Sequence, residues 1–213
     1  MTRILRIDAS SRPAIDLAGG EGSYSRALAD RIVSELEAKY PGADVVHRDL
    51  AVDPIPHIAE ATIKGFYTPV DALTDDLRDA LVLSHRVIAE VKAADAIVIS
   101  APIYNFSIPS ALKAWIDHVL RIGHTFAYED GQFQGLVEDR PVYLALSYGA
   151  GGYGDGGPLQ SYDQMKPYLT MILNFIGLTS VTALSIEATT ADAATIAAER
   201  EKAFAATRAA LAA

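Results

Sequence analysis

The residues with the most chemical potential fall in three short stretches. In the first, Ser10 is followed by a Gly-rich segment and then by Ser23-Tyr24-Ser25, just ahead of a helical pattern at Leu28, Ile32 and Leu36. Backbone N–H groups at a helix N-terminus point outward unpaired at the positive end of the helix dipole. Serine hydroxyls there add donors without charge, so the stretch suits a phosphate. The plainer reading has Ser23 and Ser25 capping the helix and Ser10 lying in a turn. The second stretch, Ala101-Pro102-Ile103-Tyr104-Asn105-Phe106-Ser107-Ile108-Pro109, offers aromatic faces and an amide. The third begins at Ser147-Tyr148-Gly149-Ala150 and runs to Pro158 with six glycines in ten residues. Such a backbone can approach a flat ligand closely and present its N–H groups; the alternative is a mobile solvent loop. Neither G-x-x-x-x-G-K-[ST] nor G-x-G-x-x-G occurs near the first stretch, and Ser147 has no G-x-S-x-G elbow.

Each stretch must be held by the apolar run before it. Residues 3–8, 96–100 and 141–147 read as strands one, three and four, with 44–50 and 180–186 as strands two and five. Ala96-Ile97-Val98-Ile99-Ser100 is short and does not alternate, as expected of a strand buried on both faces of a parallel sheet. Helical patterns run through Leu28, Ile32 and Leu36 to near Tyr40, from Thr74 (Leu77, Leu81, Ser84, Val87, Ile88, Val91), through Ile108, Leu112, Trp115, Ile116 and Val119 with Pro109 and Ser110 in the first turn, through 165–176 ending at Gly177, and from about Asp192. Residues 57–73 carry weak signals and read as a surface wrap. Aromatics flank the turn signal Asp130-Gly131, which predicts an excursion from the sheet between 123 and 137. Trp115 falls on an apolar stripe and reads as core. His47, His57, His85, His118 and His124 show no metal-ligand spacing and read as surface residues, so no metal is expected.

Alternating strands and helices predict an α/β protein with a parallel sheet, and the 213 residues, half of them hydrophobic, read as one domain spanning 1–213. Eighteen Lys and Arg against 27 Asp and Glu give a charge of −9, which argues against a nucleic-acid binder or an anionic membrane surface. The absence of cysteine excludes disulfides, thiolate catalysis and Cys-ligated metal centres. No signal peptide and no membrane helix is read, and the expected location is cytoplasmic.

Loops at 9–25, 101–107 and 147–157, leaving the carboxyl ends of strands one, three and four, describe a flavodoxin-like sheet of order 2-1-3-4-5 with helices on both faces. In that topology these loops meet at the switch point. On Ala101-Pro-Ile-Tyr-Asn-Phe-Ser-Ile-Pro, Ser23-Tyr24-Ser25, Gly135-Leu136-Val137, the loop from Ser147, and Pro167-Tyr168-Leu169 through Gly177, the chain resembles the FMN-dependent NADH:quinone oxidoreductase and azoreductase family over nearly its whole length. The resemblance implies that Ser10, Ser23 and Ser25, with Tyr24 between the last two, hold the FMN phosphate. Ile103, Tyr104, Asn105 and Phe106 would lie along the isoalloxazine, and Ser147, Tyr148, Gly149 and Ala150 would meet its opposite edge. Ile103 stands where a methionine is common. Ser-Tyr-Gly-Ala-Gly-Gly stands where relatives often have Ser-Arg-Gly-Gly. Family members are homodimers, so Phe126 and Tyr128 are expected to reach the partner's flavin.

The function this implies is transfer of two electrons from NADH or NADPH to quinones or aromatic azo compounds in a ping-pong cycle on FMN. No catalytic acid or base is assigned. Asn105 is the best residue for tuning the ring, against a reading in which it only stabilises its own turn. Two other functions remain open at this point: a flavin-binding electron carrier serving a protein partner, and a protein that has kept the fold but lost FMN and acts by interaction.

Overall fold

The computed structural model describes residues 1–13 and 22–212, so the glycine-rich residues 18–21 ahead of the first helix lie outside the described residues. In chain order the elements are β1 (Arg3–Asp8), α1 (Tyr24–Lys39), β2 (Asp44–Asp49), α2 (Glu60–Phe66), α3 (Asp75–Ala93), β3 (Ala96–Pro102), α4 (Ser110–Val119), β4 (Phe126–Glu129), β5 (Gln132–Gly135), β6 (Val142–Ser147), α5 (Lys166–Ile176), β7 (Val181–Ile186) and α6 (Ala193–Ala212). Five strands pair in parallel in the order β2-β1-β3-β6-β7, which is 2-1-3-4-5 when the sheet's own strands are counted.

Alternation along the strands divides the core into two layers. Leu5, Ile7, Ile97, Ile99, Leu144 and Leu146 face α3, α4 and α5, packing with Val87, Val91, Leu112, Trp115, Ile116, Leu169 and Leu173. Ile4, Val98, Tyr143, Ala145 and Leu184 face α1 and α6, where Leu28, Ile32, Leu36, Ala203 and Leu211 cover them. Helices therefore lie on both faces, and every residue of β6 is buried. Trp115 is core, as its position on the apolar stripe requires.

Two local expectations are corrected. Residues 57–73 contain α2 and a short 3-10 turn at Val70–Ala72. Their pattern is weak because Gly65 sits inside the helix, where it packs so closely on Leu81 that an added Cβ would lie 2.9 Å from it. His118 is buried, not solvated: the chain at Pro56 crosses over it and its Nε2 donates to the Pro56 carbonyl at 3.1 Å.

The expected excursion is the antiparallel hairpin β4–β5, turned by Asp130 and Gly131, both at positive φ. It docks on the end of α5, where the Val137 N–H donates to the Ile176 carbonyl at 2.9 Å and Phe126 and Phe133 pack on Phe175. No described helix is long and apolar enough to cross a membrane.

Candidate functional site

At the end of β1 the Ser10 hydroxyl accepts the Arg12 N–H at 3.2 Å, folding the chain into a turn at the mouth of a cavity. Ser23 is the N-cap of α1, its Oγ accepting the Arg26 N–H at 3.3 Å. The N–H groups of Tyr24 and Ser25 head the helix without intrahelical acceptors. The Ser25 side chain is fully buried, its hydroxyl 3.0 Å from that of Ser23, so it braces Ser23 and does not reach the cavity.

Behind this end lies a charged network with no counterpart in the sequence reading. Arg26, buried on the first turn of α1, donates to both oxygens of Asp49 at 2.6 and 2.7 Å, to Asp8 at 3.3 Å and to the Ser10 carbonyl at 2.8 Å. Burial opposes its charge, but the bonds to Asp49 and the charge of Asp8 prevail, and its pKa rises. Asp49 is held below the usual carboxylate range by the Arg26 bond. Asp8, fully buried, also meets Arg6 at 3.0 Å, His47 at 2.8 Å and the Ser100 hydroxyl at 2.5 Å. Asp8, His47 and Asp49 are close enough to share a metal ion, with ligand atoms within 4.8 Å of one another. The guanidinium groups of Arg6 and Arg26 already take those carboxylates, which leaves the cluster an internal ion-pair network.

The second stretch continues from β3. Tyr104 and Ser107 exchange backbone hydrogen bonds of 2.9 and 3.0 Å, and the two residues between them, Asn105 and Phe106, have φ of 47° and 70°. Two positive φ angles in a two-residue turn are the type I′ geometry; asparagine tolerates it, phenylalanine does so with strain. Both side chains are exposed, with Phe106 against Tyr162 at 5.6 Å between ring centres. The Tyr104 ring reaches back across the cleft, its hydroxyl 2.9 Å from the Ser11 Oγ. Burial raises its pKa, but the hydroxyls of Ser11 and Ser10 and the charge of Arg12 outweigh that and bring it below the ordinary phenol value.

The third stretch is anchored, not a free solvent loop. Glu187 accepts the N–H groups of Gly152 and Tyr153 at 2.7 and 3.0 Å. The chain after β7 then runs alongside: Ala188, Thr189 and Thr190 donate to the carbonyls of Ala150, Tyr148 and Gly149. The N–H groups of Gly149, Ala150 and Gly151 donate to no other described residue. Tyr148 turns inward, is 2% exposed, stacks on Tyr153 and donates its hydroxyl to Asp163 at 2.9 Å. Burial, reinforced by the Asp163 charge, pushes its pKa far up. Its ring faces the core, so any contact it makes in the cleft is through backbone.

One cavity of about 190 Å³ brings the three stretches together at the carboxyl edge of the sheet. Of the residues named from sequence, Ser10, Ser23, Tyr24, Ile103, Tyr104, Ser147 and Gly149 line it. Ser25, Asn105, Phe106, Tyr148 and Ala150 border it in the chain without lining it. Phe126 and Tyr128 lie on the β4–β5 hairpin, Tyr128 more than half exposed, and do not line their own chain's cavity. The cavity adds Arg12, Gly22, Pro102, Thr189 and Thr190. The two threonines had a signal in sequence, since they follow the carboxyl end of the fifth strand.

An open parallel sheet of this order, with its cavity at the carboxyl edge beside the switch between β1 and β3, defines a flavodoxin-like α/β protein. The family model for the flavodoxin-like fold matches residues 2–211. An FMN-dependent NADH:quinone oxidoreductase from Xanthobacter autotrophicus is 52% identical over 181 residues, covering 85% of this chain and 84% of that one. Another of the same name, from Beijerinckia indica, is 41% identical over 187 residues, 88% of each. The chain belongs to the FMN-dependent NADH:quinone oxidoreductase family within the flavodoxin-like fold. Among solved structures, an azoreductase from Bacillus anthracis superposes with a TM-score of 0.83 at 24% identity, over 97% of this chain and 99% of that one. An FMN-dependent NADH-azoreductase from the same organism, solved with FMN, gives 0.84 at 20% identity over 99% and 98%. At those identities the likeness is one of fold.

Proposed function

We propose that this protein is an FMN-dependent oxidoreductase that passes two electrons from NADH or NADPH to quinones, aromatic azo compounds or both. We further propose that it alternates donor and acceptor at one site in a ping-pong cycle, as a single-domain, cytoplasmic homodimer. The observation that carries this reading is the make-up of the cavity. Its described lining contains no carboxylate, one guanidinium (Arg12), the hydroxyls of Ser10, Ser23, Ser147, Tyr24 and Tyr104, two threonines (Thr189 and Thr190) whose hydroxyls donate to the Tyr148 and Gly149 carbonyls, and an apolar wall at Pro102 and Ile103. That donor set fits a phosphomonoester at one end and a flat heterocycle at the other.

Ser10, Ser23 and the leading N–H groups of α1 would hold the phosphate, with Tyr24 and Arg12 beside it. Ile103 and Tyr104 would lie along the ring, and Ser147 and Gly149 would meet its far edge. When bound, FMN supplies the hydride chemistry. The chain's share is orientation and charge. The N–H group of Gly149, which lines the cavity and is free of a described acceptor, offers a preorganised donor for negative charge gathering at the ring edge. The 52% identity to a named quinone oxidoreductase supports this reading over an electron carrier, as does the aromatic β4–β5 hairpin, which would cover a substrate.

Reconstitution with FMN followed by anaerobic NADH tests it. Flavin absorbance should be retained through desalting and then bleached by NADH, and parallel initial-rate lines should appear when quinone and NADH are both varied. Protein that takes up no flavin would sink the redox reading; protein that keeps flavin but is not bleached would be a carrier.

A further inference from the structure

The ring-facing loops are joined at a second place, away from the sheet. The first join is the ladder itself: Pro102 pairs with Ser147, and the Ile103 N–H donates to the Ser147 carbonyl at 2.9 Å. Beyond it the loops diverge, one into the type I′ turn and the other into the glycine run. Asp163 and Gln164, between the glycine run and α5, then bond to both. Asp163, 5% exposed, accepts the Tyr148 hydroxyl on Oδ2 at 2.9 Å. Its Oδ1 accepts the N–H groups of Met165 and Lys166 at 2.8 and 3.1 Å, which fixes the carboxylate to the start of α5. The Gln164 N–H donates to the Phe106 carbonyl at 2.9 Å.

Each loop is thus pinned at two points beside its cavity-lining residues, at Ile103 and Phe106 around Tyr104 on one side and at Ser147 and Tyr148 next to Gly149 on the other. We propose that Tyr148 and Asp163 are positioning residues that fix the spacing of these two loops across the flavin ring, and so govern hydride transfer more than cofactor affinity. The proposal rests on the FMN reading above. The phosphate end, at Ser10 and Ser23, is not part of this link.

The test uses Y148F, which keeps the ring stacked on Tyr153 and removes only the hydroxyl. In flavin-free protein, amide exchange at Gln164, Tyr104 and Ser107 should quicken by about fivefold or more, because losing one buried hydrogen bond is worth on the order of 1 kcal/mol. In FMN-loaded protein, anaerobic bleaching by NADH should slow by roughly tenfold per bound flavin, within the range that small misplacements cost. The visible absorption envelope should shift, while FMN affinity stays within about threefold because the phosphate contacts are untouched. D163N, which keeps an oxygen for Met165 and Lys166 but sets an N–H donor in place of the charged acceptor of the Tyr148 hydroxyl, is the second variant and should move the same readouts in the same direction, by less, if Y148F folds poorly. Wild-type exchange and bleaching in both variants would overturn the proposal. So would a lower melting temperature with an unchanged rate per flavin, since that describes a purely structural bond. If wild-type protein takes up no FMN while Y148F still quickens exchange in the other loop, the FMN reading fails and the link between the loops stands.

Discussion

Arg26 and Asp49 meet through two parallel hydrogen bonds, 2.6 and 2.7 Å long, and the same guanidinium holds the Ser10 carbonyl, so the end of β2 is tied to the turn after β1 through the first turn of α1. Asp49 should therefore mark stability with pH. Its folded-state pKa lies below the ordinary value of 3.8, so its contribution is complete above that value. The contribution fades as pH falls through the lower, folded-state value. Replacing it with asparagine should cost about 2 kcal/mol at pH 7, from loss of charge-assisted bonds to a buried partner. Urea unfolding between pH 2 and 7 checks the sign: the gap between wild type and D49N should narrow toward acid, and a constant gap would refute the assignment.

The serines at the head of α1 should act on the phosphate and not on the ring. S23A removes an N-cap and should destabilise by about 1 kcal/mol. Combined with S25A it should weaken FMN binding by roughly tenfold, the scale of one lost hydrogen bond to a charged group. Riboflavin, which lacks the phosphate, is the control and should bind both proteins equally. Flavin fluorescence titrations give both affinities, and an unchanged FMN affinity would mean the phosphate lies elsewhere.

Asn105 can be separated from its turn. Its φ of 47° suits glycine at least as well, so N105G should leave stability within about 0.5 kcal/mol. N105V should cost about 1–2 kcal/mol, since a β-branched side chain resists the left-handed region. If the amide tunes the ring, N105G lowers the rate of flavin bleaching by NADH despite an intact turn. Equal rates in N105G and wild type would return Asn105 to a turn residue only.

The elements and the turns were legible because their signals are local. The burial of Ala96 to Ala101 in β3 follows from a run that is apolar but for Ser100, and Gly177 ends α5 in the left-handed conformation, φ 108°. The charged network was not legible, because Arg26 reads as an exposed helix residue until Asp8 and Asp49 are brought to it from strands 18 and 23 positions away. His118 was misread for the same reason, its acceptor at Pro56 being 62 residues distant. Tyr148 is a different case. Leu144 and Leu146 face α3, α4 and α5, and continuing the two-residue period puts Tyr148 on that same buried face, yet the loop reading stopped the period at Ser147. The resemblance sets Asn105 and Phe106 along the isoalloxazine; what no local signal gives is their backbone, a pair of positive φ angles with both side chains exposed beside the cavity.

Gly135 shows how closely the β4–β5 hairpin must seat. A Cβ there would lie 2.3 Å from the Gly177 nitrogen and 2.4 Å from the Ile176 carbonyl carbon, backbone atoms that cannot step aside. G135A should therefore destabilise by about 1–3 kcal/mol through overpacking, and should lift the hairpin from α5 before it disturbs the sheet. Phe126 and Tyr128 ride on that hairpin. If they serve a substrate pocket, G135A should raise the KM for quinone several-fold while FMN affinity, set by cavity residues outside the hairpin, is unchanged. Amide exchange at Val137 and Leu136 reports whether the hairpin has lifted. Faster exchange there with an unaltered quinone KM would show that the hairpin's aromatic residues serve packing alone.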